Sequence, residues 1–170
     1  MTIAELIREH GKPILGFCMR VLRDRALAED VAQQVFWEAH RDMSQFEGRS
    51  SIRTWLFRIA LHRCQDAIKS RKRRDARFEL DDAPGETLPD DAPAADALVD
   101  RQRLLAALDE CLAHLSPDVR ATVLARFQTG MTFEELAESL DAKPDTLQTR
   151  VARALPVLRT CLERKGWAHA

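Results

Sequence analysis

Apolar side chains recur along this chain at spacings of three and four, and almost nowhere in strict alternation, so the pattern predicts helices rather than strands. Leu27, Val31, Val35 and Ala39 fall on one face of a helix over 26–41, while Asp30, Gln33 and Trp37 fall on the opposite face. A Trp on the solvent side gains nothing from the core, which suggests that a partner covers it. Ile52, Trp55, Leu56, Ile59, Ala60, Cys64, Ala67 and Ile68 mark a long helix. Arg53, Arg58, His62, Gln65, Lys69 and Lys72 lie off its apolar stripe, and the helix runs into the basic tract KSRKRRDAR at 69–77. Ahead of these two, Thr2 and Glu5 read as a capping box, Gly11 and Pro13 predict a break or kink, and a helix resumes to about Arg23. FEGRSS at 46–51 reads as a loop.

The later part of the chain predicts four more helices. Leu104, Leu105, Leu108, Leu112 and Leu115 mark the first. Ser116-Pro117 supplies an N-cap and a first-turn proline for the second, which Val119, Val123, Leu124 and Phe127 stripe and Gly130 ends. Thr132 and Glu135 form another capping box, opening a short helix through Leu140. The turn 141–145 then leads to a helix striped by Leu147, Val151, Ala154, Leu155, Leu158 and Leu162. A short helix, a tight turn and a longer helix is helix-turn-helix spacing.

Charge divides the chain more sharply than hydropathy does. The net charge of the 170 residues is −1. Residues 1–78 nevertheless carry +6, residues 79–100 carry −8 with no Lys or Arg, and residues 101–170 carry +1. The middle segment, with three Pro and eight acids, reads as an extended flexible linker between two helical modules. A basic first module points to a polyanionic partner. No apolar run approaches the ~20 residues of a membrane span and no signal peptide is evident, so we expect no membrane insertion, a cytoplasmic location and reduced thiols at Cys18, Cys64, Cys111 and Cys161.

Enzyme signals are weak. The five His are scattered, no second pair at ligand spacing joins Cys111 and His114, and neither a phosphate loop nor a nucleophile elbow is present. We expect no metal, no cofactor and no catalytic residues. The nucleic-acid signals are stronger. Trp55 and Phe57 beside a basic stripe, with Phe46 in the preceding loop, suit unstacked bases. Asp145, Thr146, Gln148, Thr149, Arg150 and Arg153 lie off the apolar stripe of the last helix, and Gln and Arg there can pair with base edges, Thr and Arg with phosphates.

Taken in order, AEDVAQQVF (28–36), FEGRSSIRTWLFRIALHRCQDAIKSRKRR (46–74), LSPDVRATVLARFQTGMTFEELAESL (115–140) and TLQTRVARAL (146–155) resemble a group 4, extracytoplasmic-function (ECF) RNA polymerase sigma factor. The resemblance implies an all-α chain of two small helical domains: a sigma-2 domain at 1–78, an acidic linker at 79–100 and a helix-turn-helix sigma-4 domain at 101–170. It implies docking on core RNA polymerase through Asp30, Gln33, Gln34 and Trp37. It implies melting and holding of the promoter −10 strand by Phe46, Arg53, Trp55, Arg58, His62, Lys69 and Lys72. It implies reading of the −35 duplex by Thr146, Gln148, Thr149, Arg150 and Arg153. A free monomer held inactive by an anti-sigma factor follows from the same resemblance. Three positions depart from the family pattern: His62 stands where Asn is usual, Leu155 where Arg is frequent, and Pro156 sits inside the last helix. Two other readings are a stand-alone helix-turn-helix regulator, which leaves Trp37 unexplained, and a metal- or redox-responsive interaction protein.

Overall fold

The computed structural model describes residues 2–76 and 96–167. Seven α-helices carry the fold: α1 (Ile3–Leu22), α2 (Arg25–Asp42), α3 (Ile52–Asp75), α4 (Asp96–Ala113), α5 (Pro117–Thr129), α6 (Phe133–Leu140) and α7 (Pro144–Arg164). A single 3-10 turn at Met43–Gln45 follows α2, and no strand occurs among the described residues. The chain is all-α. Residues 79–95 of the expected acidic linker lie outside the described residues, whereas 96–100 form the start of α4.

Local chemistry accounts for most helix ends. Both capping boxes are present. Thr2 Oγ1 accepts the Glu5 N–H and the Glu5 carboxylate accepts the Thr2 N–H; Thr132 and Glu135 repeat the exchange. Gly130 ends α5 in the left-handed region at φ +76°, where a side chain would be strained. Asp141 ends α6 in the same region at φ +48°. Ser116 occupies the N-cap position of α5, but its side chain makes no capping hydrogen bond.

Helices α1, α2 and α3 form a three-helix bundle. Leu6, Ile14, Phe17 and Val21 of α1 meet Val31, Val35 and Ala39 of α2 and Leu56, Ala60 and Leu61 of α3. The break expected at Gly11–Pro13 does not occur: α1 is continuous through Pro13. Proline removes one backbone donor, but the buried face on both sides of it keeps the helix in register. Phe57, expected beside the bases, is instead 1% exposed and packs edge-on against Phe17, with ring centroids 5.3 Å apart. Gln65, expected on the polar side of α3, is 5% exposed. The buried face of α3 is therefore rotated toward Phe57 and Gln65, while Trp55 and Ile59 are only partly buried.

Helices α4 to α7 form the second bundle, with Leu136 and Leu140 of α6 packed near Leu147 and Val151 of α7. Phe127 and Leu155, expected in apolar stripes, are exposed and flank an open apolar cleft between α4, α5 and α7. Helix α7 runs unbroken through Pro156. The expectation of reduced thiols fails for one pair. Cys111 of α4 and Cys161 of α7 are joined in a disulfide, because the two helices pack with these Cα atoms 5.8 Å apart. Cys18 and Cys64 are free thiols buried in the first bundle. The hydrogen bond with Cys18, together with burial, holds the Cys64 thiol well above its usual range.

The two bundles share one continuous apolar core: α5 packs against α1 and α3, and α6 packs against α3. Arg120 of α5 sits at the seam, 5% exposed. Its Nε and Nη2 donate to the Val21 carbonyl at 3.0 and 2.8 Å, and its Nη1 donates to the Leu115 carbonyl at 3.1 Å. These carbonyls lie at the C-terminal end of α1 and just beyond α4, where no intrahelical donor reaches them. Burial, with a smaller contribution from nearby Arg23, pulls the Arg120 guanidinium down to about 10, so it stays charged at neutral pH.

Candidate functional site

The outward face of α2 is built by its own period. Ala28, Val31, Ala32, Val35, Phe36 and Ala39 turn inward, so Asp30, Gln33, Gln34 and Trp37 must turn outward, and all four are exposed. Trp37 is 64% exposed. Arg41, one turn later, lies over its indole ring at 5.0 Å and covers part of one face. Arg41 also forks onto Asp42 at 2.7 and 2.8 Å, which lowers the Asp42 carboxyl below its usual range. The i, i+4 spacing of Trp37 and Arg41 is the signal that could have named Arg41 from the sequence.

A second surface joins the loop before α3 to the polar side of α3. Ser51 caps the helix by accepting the Thr54 N–H at 3.0 Å. That cap fixes the entry of the chain, and Phe46 then stacks on Trp55 with centroids 5.1 Å apart and rings tilted by 41°. Both rings are partly exposed. Arg53, His62, Lys69 and Lys72 are exposed along the helix and Arg58 is half-buried. Their present partners differ. His62 faces Asp66 at 3.7 Å. Arg53 donates to the Gln128 carbonyl at 3.4 Å, Arg58 pairs with Glu135 at 3.3 Å, and Lys72 pairs with Asp118 at 2.5 Å. Three of the seven residues on this surface are thus engaged by the second bundle.

The third surface is the start of α7. Leu147 and Val151 anchor the helix inward, leaving Thr146, Gln148, Thr149 and Arg153 exposed and Arg150 partly so. Asp145, Thr146, Thr149, Arg150 and Arg153 line one shallow, open depression, and Gln148 stands outside it. Thr149 Oγ1 donates back to the Asp145 carbonyl at 2.8 Å, so that hydroxyl keeps lone pairs but not its proton for an outside partner.

A helix-turn-helix behind a basic three-helix bundle is the arrangement that comparison with known proteins recovers. Residues 6–74 match the Sigma-70 region 2 family, and residues 105–155 match Sigma-70, region 4. The chain belongs to the extracytoplasmic-function sigma factors of the sigma-70 family. Among curated relatives, it is 30% identical to the ECF RNA polymerase sigma factor SigK of Mycobacterium tuberculosis over 168 residues, covering 95% of this chain and 86% of the relative. It is 28% identical to the RNA polymerase sigma-H factor of Pseudomonas aeruginosa over 163 residues, covering 93% and 84%. It is 30% identical to the RNA polymerase sigma factor CarQ of Myxococcus xanthus over 160 residues, covering 93% and 87%. The fold matches the sigma factor RpoE of Bartonella quintana, solved with the anti-sigma factor NepR. That match has a TM-score of 0.71 and 20% identity, covering 94% of this chain and 96% of that one. CnrH, solved with the cytosolic domain of CnrY, matches with a TM-score of 0.57 and 23% identity, covering 95% and 88%.

As a sigma factor, the protein directs promoter-specific transcription initiation by RNA polymerase and performs no catalysis of its own. Among the described residues, no helix of the sigma factor is long and apolar enough to cross a membrane. Region 2 contains the exposed Trp37 face and the aromatic-basic surface of α3, while region 4 contains the surface at the start of α7.

Proposed function

We propose that the three surfaces divide the work of initiation. Asp30, Gln33, Gln34 and Trp37 dock on core polymerase. Phe46, Trp55, Arg53, Arg58, His62, Lys69 and Lys72 hold the melted −10 strand. Thr146, Gln148, Thr149, Arg150 and Arg153 read the −35 duplex. The observation that carries this reading is the exposed Trp37, a large apolar side chain on a helix whose core face is already filled. The matching domain division is 1–78, 79–100 and 101–170. Action with RNA polymerase places the factor in the cytoplasm, as a monomer before it meets the enzyme. Because two structural neighbours were solved with an anti-sigma factor or the cytosolic domain of CnrY, we assign an anti-sigma factor as the partner that holds this chain inactive. Run-off transcription with core polymerase on genomic promoter fragments tests the whole reading. Addition of the factor should produce discrete transcripts, and no new transcript from any fragment would overturn it.

Two substitutions test the DNA assignments separately. His62 is exposed on α3 and can donate to a base edge from either ring nitrogen that carries a proton. His62→Asn should change which −10 bases support transcription across a randomised promoter library, without moving the −35 preference. An unchanged −10 profile would remove His62 from the reading surface.

In α7 we expect Gln148 and Arg150 to behave differently. Gln148→Ala should cost about 1–3 kcal/mol at one −35 position and relax the base preference there. Arg150→Ala should weaken all promoters nearly equally and flatten the salt dependence, as loss of a phosphate contact does. A lowered melting temperature with unchanged −35 affinity in holoenzyme would instead make Arg150 a packing residue of its own domain.

A further inference from the structure

We propose that Asp145 is a specificity residue of the −35 surface, its carboxylate accepting a hydrogen bond from the N4 amino group of a cytosine in the major groove. The inference rests on the assignment of α7 to the −35 duplex, and it gives a task to the single acid of the first turn of that helix. Leu147, Val151, Ala154 and Leu158 are buried and define the inward line of α7. At ~100° per residue, Asp145 and Thr149 fall within about 30° of the line directly opposite, whereas Gln148 falls about 90° from it and Arg150 farther still. Asp145 and Thr149 are exposed, and Ala152, beside them, is too short to screen them. The ridge that a groove floor meets first is therefore an acid, a threonine and an alanine, with Arg150 and Arg153 standing to one side.

That ridge offers acceptors. Thr149 Oγ1 donates its proton to the Asp145 carbonyl at 2.8 Å and so presents only lone pairs outward. The Asp145 carboxylate makes no ion pair among the described residues, although it shares one shallow depression with Arg150 and Arg153. A free carboxylate on a face that meets a polyanion is repelled by every phosphate, so it lowers affinity unless a base donor meets it. Major-groove edges supply two such donors, cytosine N4 and adenine N6. Cytosine is the better fit, because adenine sets the N7 lone pair beside its amino group and a carboxylate has no proton to answer it. Guanine presents only acceptors, and thymine an acceptor and a methyl group, so both are rejected. The helix dipole also favours an acid in this first turn, but that role is blind to promoter sequence.

The test uses holoenzyme assembled with the full chain and a promoter library randomised across the −35 element, built on a genomic fragment that supports run-off transcription. The unsubstituted chain should favour cytosine over guanine or thymine at one −35 position by roughly tenfold or more. Asp145→Ala should abolish that preference, leave the other −35 positions unchanged and raise transcription from promoters that lack the cytosine. Asp145→Asn should move the preference at the same position from cytosine to adenine, because an amide answers N6 and N7 together. Melting temperatures of both variants, measured on the full chain, separate base contact from folding. An Asp145→Asn base profile identical to that of the unsubstituted chain would overturn the proposal. A lowered melting temperature with equal weakening of every promoter would also overturn it, and would make Asp145 a support of the helix end. A library profile of the unsubstituted chain with no dependence on any −35 base would instead overturn the assignment of α7 to the duplex, and this proposal with it.

Discussion

Arg120→Ala is expected to destabilise the full chain by about 3 kcal/mol, the scale on which loss of a buried, hydrogen-bonded charge registers. The side chain donates twice to the Val21 carbonyl and once to that of Leu115, with the Leu112 carbonyl at 3.5 Å. Truncation strips donors from helix-terminal carbonyls that have no intrahelical partner and opens a void where Arg120 is 5% exposed. Arg120→Lys should recover only part of the loss, because an ammonium cannot present a planar fork to carbonyls on two elements. Denaturant unfolding monitored by helicity measures both. A change below about 0.5 kcal/mol for the alanine variant would return Arg120 to the class of ordinary surface positions.

Trp37→Ala is expected to weaken binding to core polymerase by about 2 kcal/mol or more, a loss of roughly thirtyfold or greater, as truncation of a buried aromatic anchor does. Folding should be unaffected, because the indole is 64% exposed and the face of α2 opposite it fills the core without it. Arg41 lies over the ring at 5.0 Å, so Arg41→Ala should produce a smaller loss through the freedom it gives the indole. Core affinity measured beside circular dichroism separates binding from folding. Unchanged affinity with normal helicity would refute the assignment of α2 to the polymerase.

The misplaced Trp was legible because helix period is a local property: the six inward positions of α2 leave residue 37 nowhere to go but outward. The two capping boxes and the Gly130 stop were legible for the same reason, since each needs only residues three or four apart. Pro13 misled because its local cost was weighed without the face that offsets it. Leu6, Ile14, Phe17 and Val21 are all buried on the line of α1, and that burial outweighs one missing hydrogen bond. Phe57 misled in the opposite way. An aromatic beside Arg53 and Arg58 looks like a base platform, but its neighbour in space is Phe17, forty residues away.

The DNA-facing residues were legible as types and positions, and their partners were not. Arg53, Arg58 and Lys72 lie off the apolar stripe of α3 by their spacing alone, yet nothing near them in the chain points to Gln128, Glu135 or Asp118. The disulfide is the same case, since 50 residues separate Cys111 from Cys161 and only the packing of α4 on α7 brings them together.

By itself, then, the order of the amino acids determined the helices, their caps, the outward face of α2, the helix-turn-helix and the family, because each rests on interactions within a few residues or on a pattern of such segments. The tertiary structure decided that α1 survives its proline, that Phe57 and Gln65 turn inward, that Arg120 bonds the ends of distant helices and that region 4 covers part of region 2. Those outcomes depend on which faces meet across 40 to 99 residues of chain, where the gain from shared apolar burial and long-range hydrogen bonds competes with chain entropy and leaves no periodic mark in the sequence.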